Sequence, residues 1–186
     1  MIEIKNISKT YDDKQILKDI SFTVNKGECV ALTGASGAGK TTLMRIIAGL
    51  EEADSGEIII PENIKKTYVF QENRLLENKS VLENILAVAP DKKRAVYFLE
   101  RCKLSDDTDK KAGNLSGGMK RRLAIARALA YGGDLYFLDE PLRELDGDTL
   151  KEIAKLIKEE IVDKTAILIT HDAFSLDFLS DRKFNI

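Results

Sequence analysis

Gly34-Ala35-Ser36-Gly37-Ala38-Gly39-Lys40-Thr41 fits the pattern G-x-x-x-x-G-K-[ST], and the residues on either side of it decide how it folds. Val30-Ala31-Leu32 before it is continuously apolar, as a buried strand should be, and residues 40–48 after it have helical periodicity. Strand, glycine turn and helix in that order are the context the pattern requires. Glycines are needed because successive backbone N–H groups must curl round an anion, with dihedrals and close approaches that a Cβ would obstruct. The following helix adds its N-terminal partial positive charge. In such a loop Lys40 reaches the β- and γ-phosphates of a nucleotide, the Thr41 hydroxyl ligates magnesium, and Thr42 adds a phosphate contact. The expected ligands are ATP and Mg2+.

Two further apolar runs, Leu135-Tyr136-Phe137-Leu138 and Ala166-Ile167-Leu168-Ile169, also read as strands of a parallel sheet buried on both faces. Each meets polar chemistry at its C-terminal end, where ligands sit in open α/β sheets. Gly34, Asp139 and His171 are therefore expected to converge although they are far apart in the chain. The first run ends in Asp139-Glu140, the arrangement of a Walker B motif. Asp139 is expected to hold magnesium through water, and Glu140 to orient or deprotonate the water that attacks the γ-phosphate. Two adjacent acids are also a common solvated strand end; the phosphate loop upstream is what supplies this pair with a reaction.

The rest of the chain frames these motifs. Alternating apolar residues in Ile2-Glu3-Ile4-Lys5-Asn6-Ile7 and Ile20-Ser21-Phe22-Thr23-Val24 predict half-buried antiparallel strands, with Asp12-Asp13-Lys14 as the turn region. Helices are predicted over residues 81–88, 92–102, 118–129 and 149–161. Residues 72–114 are rich in charge and helix formers without a strand-like run, and read as a helical lobe inserted between strands. The fold class is α/β: a mostly parallel core sheet, an N-terminal antiparallel β subdomain and the inserted lobe, with residues 1–186 as one domain. A length of 186 residues, 44% apolar, suits one core. Twenty-nine basic against 31 acidic side chains leave a net charge of −2, so no chain-wide footprint for nucleic acid is present and no such partner is expected. The apolar runs are far short of the roughly 18 residues that span a bilayer, and the start lacks a signal-peptide pattern. Cytoplasmic residence is the expectation. Cys29 and Cys102 are too few for a disulfide framework or metal cluster and read as buried free thiols.

A third motif narrows the reading. Leu115-Ser116-Gly117-Gly118-Met119, followed by Lys120-Arg121-Arg122-Leu123-Ala124-Ile125-Ala126-Arg127-Ala128-Leu129, strongly resembles the signature sequence and helix of ABC ATPases. A Ser N-cap with bare glycine amides at a helix N-terminus makes a second anion site in a chain that already has one. The resemblance covers nearly the whole chain. It implies that two domains pair head to tail, so that Ser116, Gly117, Gly118 and Met119 meet the nucleotide held by the partner's phosphate loop, and a two-fold dimer has two composite sites. It also implies that Gln71, after Thr67-Tyr68-Val69-Phe70, is the Q-loop glutamine that touches magnesium and the water. His171, the sole histidine, becomes the switch residue at the γ-phosphate, Tyr11 the aromatic that stacks on adenine, and Asp146 the D-loop aspartate.

The implied role is the ATPase subunit of an ABC transporter, peripheral on the cytoplasmic face of the cell membrane and partnered by an integral membrane permease and a solute-binding protein. Val69-Phe70-Gln71-Glu72-Asn73-Arg74-Leu75-Leu76 resembles importers of the nitrate, sulfonate and taurine group. Competing functions are a non-transport ABC ATPase acting on DNA or ribosomes and a nucleotide-dependent regulatory module with little turnover. Met119 stands where the family usually has Gln, and Leu142-Arg143-Glu144 replaces small polar residues of the D-loop. Those bulky side chains are expected against the partner. The family commonly continues past the strand near Ile186, which suggests a minimal version.

Overall fold

A computed structural model describes residues 1–186. In chain order the elements are β1 (Ile2–Tyr11), β2 (Lys14–Val24), β3 (Cys29–Thr33), α1 (Lys40–Ala48), β4 (Ser55–Ile59), β5 (Lys66–Val69), α2 (Val81–Leu86) and α3 (Lys92–Arg101). They continue with α4 (Gly117–Tyr131), β6 (Leu135–Asp139), α5 (Gly147–Glu160), β7 (Thr165–Ile169), α6 (Ala173–Leu179) and β8 (Arg182–Asn185). The strands make two sheets: an antiparallel β2-β1-β4 and a parallel β5-β6-β7-β3-β8.

Side-chain alternation explains why the parallel strands read as unbroken apolar runs. Ala31, Tyr136, Leu138, Ala166 and Leu168 face one core, which also holds Phe98, Leu123, Leu129 and Ile157 from the helices. Val30, Leu32, Leu135, Phe137, Ile167 and Ile169 face the other, with Leu43, Met44 and Ile47 of α1 and Ile2, Ile4 and Val24 of the antiparallel sheet. Both faces are dry, so both sets of positions must be apolar. By contrast β1 and β2 bury one face and alternate. Their hairpin turns through Asp12 and Asp13 alone, both at positive φ (45° and 63°), a two-residue turn whose twist matches the strands. Lys14 belongs to β2.

Two elements had no signature in the sequence. β4 exposes nearly all of Ser55-Gly56-Glu57-Ile58-Ile59 and exists because it pairs with β1. Gly56 is required there: a Cβ would stand 2.5 Å from the carbonyl oxygens of Lys5 and Asn6. The short α6 buries only Ser175 and Leu179 and is started by Asp172, whose carboxylate accepts from the Ser175 N–H. Residues 72–114 carry α2, α3 and two single 3-10 turns, with one isolated bridge between Ser80 and Lys111 and no strand. α2 and α3 pack on α4, which also reaches β5 and so joins that lobe to the sheet. No helix is long and apolar enough to cross a membrane. Both cysteines are buried and free, and burial pushes each thiol up to about 12.

Candidate functional site

The phosphate-loop residues turn between β3 and α1 as the pattern requires. Gly39 holds the N-cap position of α1 at φ +90°, and a Cβ on it would stand 2.7 Å from Leu17 Cδ2 and 2.8 Å from Ile16 Cγ2. Gly34 has φ +139°, and its Cβ would stand 2.9 Å from the Ile186 oxygen. Glycine is therefore needed at both, for dihedral and for space. No side chain caps α1, so its first amides remain available to a ligand, whereas Ser80, Asp91, Ser116 and Asp172 cap α2, α3, α4 and α6. Lys40 is buried, and its ammonium donates to the carbonyls of Gly34 (2.9 Å) and Ala35 (2.8 Å), which folds the cation back over the loop.

This loop forms one wall of an open cleft of about 650 Å³. Ser36, Gly37, Gly39, Lys40, Thr41 and Thr42 line it from the loop and α1. Gln71 enters from the end of β5, Asp139 and Glu140 from the end of β6, and Ile169 and His171 from the end of β7. Tyr11 and Ile16 close one side from the β1–β2 hairpin. Three parallel strands and the glycine loop thus deliver their C-terminal residues to one place, as expected for an open α/β sheet.

The acid pair is electrostatically unusual. Asp139 is 2% exposed, and burial, followed by the charge of Glu140, pushes its carboxyl up to about 6 despite the opposing Arg45 and Arg121. Asp139 Oδ1 and Glu140 Oε1 are buried without hydrogen-bond partners. The Glu140 backbone lies in the left-handed region (φ +49°), and its N–H donates to the Ile169 carbonyl at 2.9 Å. His171 Nε2 stands 3.5 Å from Glu140 Oε1; its side chain lines the cleft and is 63% exposed. Such orphaned carboxylate oxygens, in a cleft that the Thr41 and Gln71 side chains also line, suit a hard divalent cation. No group of three or more His, Cys, Asp or Glu side chains converges on a metal-sized space. A cation here would share its ligands between protein oxygens and the phosphates it accompanies.

Other expected residues lie elsewhere. Ser116, Gly117, Gly118, Met119 and Asp146 are not among those lining the cleft. Ser116 caps α4, its hydroxyl accepting from the Met119 N–H at 3.3 Å, and the Met119 side chain packs against the larger core. The three D-loop departures separate. Leu142 is 4% exposed and belongs to its own chain's larger core, packed with the apolar side chains of that core rather than facing outward. Arg143 lines the cleft. Glu144 turns back on its own chain, with Oε2 3.0 Å from where a Cβ on Gly117 would sit. Sequence reading missed Ile16 and Arg143 as cleft residues, and it missed Arg121. The last left a trace: a cation at i with Ile125 and Ala128 at i+4 and i+7 breaks an apolar helical face.

The family model described as ABC transporter matches residues 17–143. The chain is 39% identical to the phosphonates import ATP-binding protein PhnC of Fusobacterium nucleatum, over 98% of this chain and 87% of that protein. It is 36% identical to the aliphatic sulfonates import ATP-binding protein SsuB 1 of Shouchella clausii, over 100% and 76%. With the sulfate/thiosulfate import ATP-binding protein CysA of Methylococcus capsulatus it shares 38% over 97% of its own length, spanning 59% of that relative. Among solved structures, the dimeric post-hydrolysis state of the ATP-binding cassette MJ0796 bound to ADP and Pi superposes with a TM-score of 0.90 at 30% identity, covering 100% of this chain and 94% of that one.

Proposed function

The chain belongs to the ABC transporter family, and we propose that it is the ATP-binding and ATP-hydrolysing subunit of an importer whose membrane permease is a separate chain. A divided site carries this proposal: phosphate loop, glutamine, acid pair and histidine share one cleft, while the capped glycine amides at Ser116 lie outside it. Two copies pairing head to tail would set Ser116 and Gly118 of each against the γ-phosphate gripped by the other's loop. The MJ0796 cassette is dimeric, which supports such pairing here.

Each residue then has a task. Lys40 exchanges its two carbonyl partners for phosphate oxygens. Thr41, Asp139 and Gln71 would hold Mg2+, which when bound would neutralise phosphate charge. Glu140 orients the attacking water and takes its proton, and His171 beside it contacts the γ-phosphate. Tyr11 offers an aromatic face, 42% exposed, to the adenine. Asp146 and the signature residues serve the partner's nucleotide. The lobe of residues 72–114, within a single domain of residues 1–186, meets the permease on the cytoplasmic face of the membrane. The named relatives act on phosphonates, sulfonates and sulfate or thiosulfate; a small oxyanion delivered by a solute-binding protein is the proposed cargo.

Glu140→Gln should bind ATP, fail to hydrolyse it and accumulate as a dimer by light scattering. Equal, slow turnover in wild type and variant would sink the motor role and favour a regulatory module. Co-purification with an integral membrane protein supports transport, whereas ribosome or DNA association in its absence overturns it.

A further inference from the structure

We propose that Arg121 is a positioning residue that holds Glu140 and Gln71 in working geometry and ties both to the helix that begins at Ser116, an inference resting on the cleft being an ATPase half-site. Arg121 sits little more than one turn into α4 and is 1% exposed. A guanidinium buried that deeply is costly unless every donor is met. Here they are met almost wholly by backbone carbonyls of two chain segments. Nη1 donates to Phe70 O (2.6 Å) and, at 3.4 Å, to Gln71 O and Asn73 Oδ1, all on the segment leaving β5. Nε donates to Pro141 O (2.8 Å), and Nη2 to Asp139 O (3.1 Å) and Glu140 O (2.5 Å), on the segment leaving β6. The planar fork spans the glutamine turn and the acid-pair turn at once, which a single ammonium could not do.

The second observation is the backbone of Glu140. A φ of +49° is unfavourable for glutamate and persists only where surroundings enforce it. Its N–H is held by Ile169 of β7 and its carbonyl by Arg121. Both ends of the strained residue are thereby pinned, and this turn is what directs the carboxylate out of the sheet and into the cleft. Without the guanidinium one end is released, and relaxation toward negative φ would swing the carboxylate from the water it serves. Because the other end of the same short stretch of α4 is the Ser116 cap, movement of α4 on pairing reaches Gln71 and Glu140 of its own chain through one rigid side chain.

The test uses Arg121→Lys and Arg121→Met in the full chain, beside wild type and Glu140→Gln. Both variants should lose about tenfold to a hundredfold in kcat, as small misplacements near reacting groups do. KM for ATP should stay within about threefold, since no phosphate or adenine contact is removed. The ATP-driven dimer should still accumulate, and Arg121→Lys should keep more activity than Arg121→Met. A folded Arg121→Lys with kcat within about twofold of wild type would overturn the proposal. So would a loss of turnover matched by equal loss of ATP binding and pairing, the pattern of a brace for the fold alone. If Arg121→Met does not fold, Arg121→Lys decides on the same criteria. A wild type whose turnover Glu140→Gln leaves intact would instead refute the cleft assignment, and this proposal with it.

Discussion

Replacing Asp139 by Asn should make the nucleotide-free protein more stable while ending its turnover. Asp139 is 2% exposed, its Oδ1 has no hydrogen-bond partner, and Oδ2 has only the Tyr68 hydroxyl at 3.5 Å, too long to contribute much. Burial and then Glu140 push the carboxyl up to about 6 from its ordinary 3.8. The folded state therefore holds this proton more tightly than the unfolded chain does. Stability owed to the group is greatest below the unfolded value, falls as pH rises through the window between about 4 and about 6, and stays reduced above it. A displacement of that size is worth roughly 3 kcal/mol. Asparagine has nearly the same shape and no charge, so it removes the cost and the slope together. Urea unfolding in the presence of a chelator, from about pH 4.5 to about pH 8, measures both. The variant should exceed wild type by roughly 3 kcal/mol at the alkaline end, with the gap closing toward the acid end. A variant no more stable than wild type at the alkaline end, or a gain that does not vary with pH, would refute the reasoning.

Gly39→Ala should cost roughly 2–5 kcal/mol, from left-handed strain and forced packing against Leu17 and Ile16. Gly37→Ala, with nothing within 4 Å of the new Cβ, should cost only about 1–2 kcal/mol for its φ of +79°; equal losses in thermal melts would show that space around Gly39 is not limiting. Lys40→Ala should abolish nucleotide binding, because the loop loses its mobile cation; unchanged affinity in a fluorescent-nucleotide titration would refute the role given to Lys40.

Much of the fold was legible wherever local spacing carries the information. The boundaries of α1 follow from the glycine turn and the apolar period, and the three central strands from runs that must be dry on both faces. β4 and α6 were not legible, since neither buries enough of itself to leave a pattern. Leu142 was read as facing outward because a motif comparison marks a position as unusual without saying where its side chain points.

By itself, the sequence determined that residues 34–41 make a glycine turn between a buried strand and a helix, and that an acid pair ends a buried strand. Those properties depend on glycine dihedrals, strand alternation and helix ends, all local. Only the tertiary structure decided what they act with. The order β5-β6-β7-β3 is set by hydrogen bonds between strands distant in the chain, and that order brings Gln71, Asp139, Glu140 and His171 to the loop. Likewise Arg121 is one cation among many until the fold surrounds it with carbonyls from two remote turns. A buried charge takes its meaning from partners that long-range packing supplies.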